Sequence, residues 1–389
     1  MIACKTVNGL RHAFVAMGAL LLAGCAGVIP QSKPAPPVAP PPVDVGPSAE
    51  RLPDADEDRH RIALLVPLSG SNGAVGQSLA NATTMALLDT NTSNIRITTY
   101  DTADSPAAAA SRAIADGNRL ILGPLLSDDV DDVVGIARPA RVPLVSFSND
   151  TQAAGDGVYI MGQVPKQSIA RTLGYAASKG VTSVAGLMPQ GEYGKRAASA
   201  LLDTSRDLDV RVTTIETYDR SDASIAAAAA RVSADGTTGA VLVADATRMA
   251  VRAAPLLKAQ QKDVRILGTE LWSGEADVVR SAALRGAWFS ALSDQRYRQF
   301  SQSYRTRFGN APFRIATLGY DAVLLAINLA RDWEFGEAFP IAELHDENGF
   351  VGLDGAFRFN RQGQVERMFE VREVTATGIQ IVSPAPERF

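Results

Sequence analysis

Few side chains in this 389-residue chain have the type and spacing that chemistry requires. Thiols are confined to Cys4 and Cys25, so residues 60–389 contain no thiol nucleophile. Cys25 closes Leu22-Ala23-Gly24-Cys25 directly after a short apolar run. A cut before it leaves a single thiol, at the new N-terminus, which points to lipid attachment at that sulfur. His60 and His345 stand in no H-E-x-x-H pattern and beside no second ligand candidate, so no metal centre is expected. Neither a G-x-S-x-G elbow nor a phosphate loop occurs. Gly70, Gly73 and Gly76 follow a strand pattern and open a helix pattern, but their G-x-x-G-x-x-G spacing departs from the dinucleotide fingerprint. A turn at the mouth of a cleft is expected there. The expectation is a chain with no catalytic residue and no cofactor, working by binding.

The segment before Cys25 has a positive start at Lys5 and Arg11, then an apolar run from Ala13 to Gly24. That run is about half the roughly 20 residues a spanning helix needs. It resembles a bacterial lipoprotein signal peptide, and the resemblance implies removal of residues 1–24 and diacylation of Cys25. An ordinary secretory signal that contains a cysteine is the competing reading. Two or more acyl chains anchor a protein stably where one does not. With Ala26 rather than Asp after the cysteine, the resemblance leans to the periplasmic face of the outer membrane.

Residues 25–59 read as the lipidated cysteine and a Pro-rich tether, with Pro36, Pro37, Pro40, Pro41 and Pro42 favouring extended polyproline. At about 3.1 Å per residue it reaches on the order of 100 Å. It serves either as a spacer that keeps the domain off the bilayer or as one that carries it through the cell wall. Over the whole chain, 38 basic and 42 acidic residues give a net charge of −4, with no basic stripe, so nucleic acid is not an expected partner.

Residues 60–389 exceed one ordinary core, which predicts two lobes. Strand patterns fall at Ile62–Pro67, Ile95–Tyr100, Leu120–Leu122 and Val142–Ser146, and again at Val184–Met188, Arg211–Thr217, Gly239–Ala244 and Arg265–Gly268. Helical patterns alternate with them. Ser105 and Pro106 read as a cap and first residue, and Ser127 as the cap of a helix whose first turn holds Asp128 and Asp129. The layout is an α/β fold of two doubly wound halves.

Five segments together resemble the type I periplasmic binding proteins, the group of the branched-chain amino-acid receptors. They are Ile62-Ala63-Leu64-Leu65-Val66-Pro67-Leu68-Ser69-Gly70; Tyr100-Asp101-Thr102 with Ile121-Leu122-Gly123-Pro124-Leu125; Val142-Pro143-Leu144-Val145-Ser146-Phe147-Ser148; Gly191-Glu192-Tyr193-Gly194; and Gly319-Tyr320-Asp321-Ala322. The resemblance implies two lobes joined by three crossovers, expected at Gly162–Val164, Ala287–Leu292 and Gly355–Phe359. Lobe one is then about 60–163 with 292–356, and lobe two about 165–288 with 358–389. It also implies a ligand cleft in which Ser127, Ser148 and Asn149 meet an anionic group, Tyr193 covers the ligand and Glu270 takes an ammonium. Two departures stand against an amino acid. A second aromatic residue expected near Asp245 is absent, with Val243-Ala244-Asp245-Ala246 standing there, and Asp128, Asp129 and Asp150 crowd the carboxylate end.

Two functions are compatible with this. A lipid-anchored, tethered member of the fold resembles the penicillin-binding-protein activators, which bind peptidoglycan synthases and stimulate them. The same fold also delivers amino acids or similar small solutes to an ABC permease.

Overall fold

The computed structural model describes residues 59–386 and 389, apart from 235 and 274–276. Cys25 and the tether lie outside the described residues. The first sheet is built from β1 (His60–Val66), β2 (Ile95–Asp101), β3 (Leu120–Leu122), β4 (Leu144–Ser146) and β5 (Val158–Ile160). Its order is β2-β1-β3-β4-β5, and every pairing is parallel. A parallel strand covered on both faces must be apolar throughout. Ile62 to Val66 meet that condition and are fully buried. Leu64 and Leu65 each contribute roughly 1.5–3 kcal/mol by leaving water.

Helices α1 (Gly73–Thr90), α2 (Pro106–Ala115) and α3 (Val130–Ala137) link these strands. The α2 start is as read: Ser105 Oγ accepts from Ala108 N at 3.2 Å, and Pro106 opens the helix. The α3 start differs. The helix begins three residues after Ser127, which sits in the preceding turn with its carbonyl accepting from Val130 N at 3.1 Å. Ser127 Oγ is 3.4 Å from Asp128 Oδ1 and caps nothing, and the acids of the first turn are Asp131 and Asp132.

The second sheet repeats the plan with α4 (Pro165–Ser178), β6 (Ser183–Pro189), α5 (Glu192–Asp207), β7 (Arg211–Tyr218), α6 (Asp222–Val232), β8 (Ala240–Val243), α7 (Thr247–Gln260), β9 (Arg265–Gly268), the single turn α8 (Asp277–Arg280) and β10 (Trp288–Ala291). Its parallel part runs β10-β9-β8-β6-β7, the first sheet's order over again. The chain then returns to the first lobe through α9 (Asp294–Phe308) and α10 (Thr317–Leu329), whose side chains pack with α1. A small antiparallel sheet follows, β11 (Phe350–Gly352), β12 (Gly355–Phe359) and β13 (Val365–Arg367). The last strands, β14 (Glu370–Val374) and β15 (Ile379–Ser383), extend the second sheet antiparallel beside β10.

Two expected crossovers move. Trp288–Ala291 is a strand of the second sheet, so the chain leaves that lobe at Leu292–Ser293. Gly355–Phe359 is a strand too, and Phe357, Phe359 and Val365 share the core of β1, so the third passage falls at Met368–Phe369. Residues 358–367, read as part of lobe two, therefore belong with lobe one. The first passage lies at 161–164, between β5 and α4.

Arginines tie these passages together. Arg367 Nη2 donates to Met161 O at 3.2 Å, and Gln167 bonds Arg367 N and Val365 O. Arg372 donates through Nε to Glu370 at 2.6 Å, through Nη2 to Leu292 O at 2.9 Å and through Nη1 to Asp294.

Candidate functional site

In an open α/β sheet, ligands bind beyond the carboxyl ends of the strands, where the strand order reverses. Both sheets present that end to one cleft of about 580 Å³. From the first lobe come Val75 on α1, Leu125 to Ser127 after β3, Phe147 to Asn149 after β4, and Phe313 to Ile315 with Leu318 at the head of α10. From the second come Tyr193 on α5 and Glu270, Leu271 and Ser273 after β9. Gln163 lines it from the first passage between lobes. The structure thus brings Ser127, Ser148, Asn149, Tyr193 and Glu270 to the wall of a single cavity.

Local packing fixes each. Ser146 Oγ donates to Pro124 O at 3.0 Å and accepts from Ser148 N at 3.1 Å, which binds the exits of β3 and β4 to each other. Ser148 Oγ is already engaged, accepting from Asp150 N at 3.0 Å. Tyr193 is placed by the glycine after it: a Cβ on Gly194 would collide with Pro189 O, so α5 lies directly on the end of β6. Gly76 meets Pro67 O in the same way in the first lobe. The glycines after β1 serve this close approach, and Gly70, with φ of 68°, serves the turn.

Glu270 sits on a short turn held from three sides. Its N–H donates to Ser168 Oγ at 2.9 Å, Thr269 caps the turn, and Trp272 packs on Gly268 while donating to Asp245 O at 3.0 Å. Its side chain is buried. Tyr193 Oη donates to Glu270 Oε1 at 3.0 Å and lies 3.2 Å from Thr269 Oγ1. Glu270 Oε2 is buried with no partner. Burial pushes the Glu270 carboxyl above its ordinary range. Burial and the adjoining Glu270 hold the Tyr193 hydroxyl protonated, far above its usual value. Among the described residues, no nucleophile–base pair lies on this wall, and Glu270 Oε2 is a buried acceptor without a donor.

The departures from an amino-acid site take a different form in three dimensions. Asp150 pairs with Arg196 at 2.9 Å, and Asn149 Oδ1 accepts from the same guanidinium at 2.8 Å. Neither Asp128 nor Asp129 is among the described residues lining the cavity. Asp245 is away from it as well, buried and held by Tyr218 Oη at 2.7 Å and by both edge nitrogens of Arg220. Arg314 is the residue that sequence reading missed. It lies in a short turn ahead of α10, and nothing in Pro312-Phe313-Arg314 signals a cleft-facing position.

The sequence profile described as periplasmic binding protein matches residues 60–378. An uncharacterised protein of Rickettsia prowazekii is 28% identical over 142 residues, 36% of this chain and 38% of its own length. The penicillin-binding protein activator LpoA of Mannheimia succiniciproducens is 28% identical over 149 residues, 36% of this chain and 25% of its own. The matched region thus spans well under half of either relative. Among solved structures, a putative branched-chain amino acid ABC transporter protein from Rhodospirillum rubrum superposes with a TM-score of 0.71 at 19% identity, over 83% of this chain and all of that one. LpoA of Haemophilus influenzae superposes with a TM-score of 0.65 at 20% identity, over 84% of this chain and 59% of that one. At these identities the superpositions speak to the fold.

Proposed function

Because this chain belongs to the periplasmic binding protein family, we propose that it acts by binding rather than catalysis, as a lipid-anchored envelope protein that binds and activates peptidoglycan synthases. The observation that carries this is the sequence likeness to a penicillin-binding protein activator, which at 28% over 149 residues is more specific than a shared fold. The Pro-rich tether after Cys25 supports it: a lipid on that sulfur holds the chain at the periplasmic face of the outer membrane, and the tether gives reach toward a synthase. The test is affinity capture with the full chain against purified bifunctional synthases, with crosslinking rates measured alongside. Recovery of a synthase together with faster transpeptidation is expected. A synthase that neither binds nor accelerates removes the proposal.

The cleft favours a second reading, a receptor that hands an amino acid or similar solute to an ABC permease. Its support is the wall of the cleft: a buried Glu270 acceptor, Tyr193 beside it and apolar side chains. Solute uptake that collapses on deletion of the gene, with peptidoglycan crosslinking unchanged, selects this reading over the first.

A further inference from the structure

We infer that Arg220, Arg248 and Arg252 form a second binding site, at the carboxyl ends of β7 and β8, that takes a small molecule bearing a phosphate or carboxylate group. The described residues that line it are these three arginines and Met249, and none of them lines the cleft. The inference therefore rests on neither reading of the cleft.

The three guanidiniums border one cavity of about 400 Å³, a size that suits a small ligand. Arg220 comes from the turn between β7 and α6, and Arg248 and Arg252 from the first two turns of α7. Arg220 gives Nε and Nη2 to the two oxygens of Asp245 at 2.9 and 3.1 Å, and Tyr218 Oη donates to the same carboxylate at 2.7 Å. Arg252 pairs with Asp222 at 2.9 Å and reaches Arg220 O at 3.4 Å. Arg248 is exposed and pairs with no acid among the described residues. Asp219, the remaining acid of this turn, is directed to Ser221 N at 2.9 Å. Three cations thus meet two paired acids at the cavity, which leaves one positive charge unbalanced. Like charges gathered on one cavity repel, and an entering anion relieves that repulsion. The α7 start has no side-chain cap and no acid in its first turn, so the positive end of the helix dipole adds to the same field. Arg220 Nη1, Arg252 Nε and the whole fork of Arg248 have no acceptor among the described residues. The Arg220 and Arg252 side chains are 44% and 48% exposed, so a solute can reach these donors. Guanidinium groups match the oxygens of phosphate and carboxylate. Arg220 and Arg252 are already fixed by their acids, so little further freedom is lost when they bind.

The experiment is titration calorimetry with thermal unfolding on the full chain. The probes are inorganic phosphate, glycerol 3-phosphate and citrate, each against sodium chloride at equal ionic strength. At least one probe is expected to bind where chloride does not, and more weakly as salt screens the arginines. Arg248→Gln removes a side chain that no ion pair holds, so the fold should keep its stability while the probe loses roughly tenfold or more in affinity. Arg252→Gln should weaken the same probe, and it decides the matter alone if Arg248→Gln fails to fold. Arg298→Gln, on the exposed face of α9, is the control for net charge and should leave the affinity unchanged. Failure of all three probes, or an equal loss in Arg298→Gln, overturns the site. So does binding to vesicles of anionic lipid or to an acidic peptide without binding to any small probe, since the arginines would then form a docking surface rather than a ligand site.

Discussion

Two arginines in this protein have opposite circumstances. Arg372, at the passages between lobes, has Nε, Nη1 and Nη2 all engaged, by Glu370, Asp294 and Leu292 O. Arg314, in the cleft, has one nitrogen engaged and one edge empty. Both are guanidiniums beside carboxylates, Arg372 buried and Arg314 partly so, and residue type does not separate them. What separates them is completion: Arg372 has an acceptor for each guanidinium nitrogen, and Arg314 keeps two nitrogens below the surface with none among the described residues. Arg367 marks the boundary of this rule. Its Nε and Nη1 are also unbonded, but it lies outside the cleft, 3.9 Å from the Asp321 carboxylate and over the Phe357 ring.

The contrast breaks most visibly at Arg372. Arg372→Ala leaves Glu370 and Asp294 without their cation, and a loss of about 3–5 kcal/mol is expected on denaturant unfolding. A loss below about 1 kcal/mol would mean that the closed set does little for the fold.

Glu270→Gln is expected to do the reverse. It removes a desolvated carboxyl, and at neutral pH the chain gains about 1 kcal/mol. The pH dependence has a definite sign. Glu270 is raised in the folded state, so the fold keeps a proton that the unfolded chain has released. Its stabilising share is present below the ordinary carboxylate range and is lost as pH rises through the raised value. Stability curves of the native chain and Glu270→Gln should therefore diverge as pH increases, and parallel curves would remove Glu270 from the account.

The smallest effect belongs to Arg196, which reaches from α5 to Asp150 and Asn149 on the other lobe. The pair is partly exposed, and Arg196→Ala is expected to cost under about 1 kcal/mol in stability. It should still weaken ligand binding several-fold, because this bond joins the lobes beside the cleft. An unchanged affinity would show that the bond does not contribute to closure.

Much of this was legible in the sequence. The continuous apolar run of β1 announced a parallel strand, and Ser148, Tyr193 and Glu270 could be placed because they follow strand ends in a resembled order. Ser127 reached the cleft for a different reason than capping, since α3 starts at Val130. What stayed hidden depended on pairing across long separations. Gly355–Phe359 was expected as a passage on the resemblance, and only its partners Phe350–Gly352 and Val365–Arg367 make it a strand. Arg314 was hidden for the same reason: Asp354, which orients it, is forty positions away in sequence.

The ties among the passages have a mechanical consequence. Arg372 fastens the second passage to the third, and Arg367 with Gln167 fastens the first to the third. Three separate threads would let the lobes shear, twist and bend independently. Fastened together they are expected to act as one leaf spring, stiff to torsion and sliding and compliant in a single bending direction. Distance probes placed on α2 and α7 should then trace one coordinate, so that a single number describes how far the jaws stand apart.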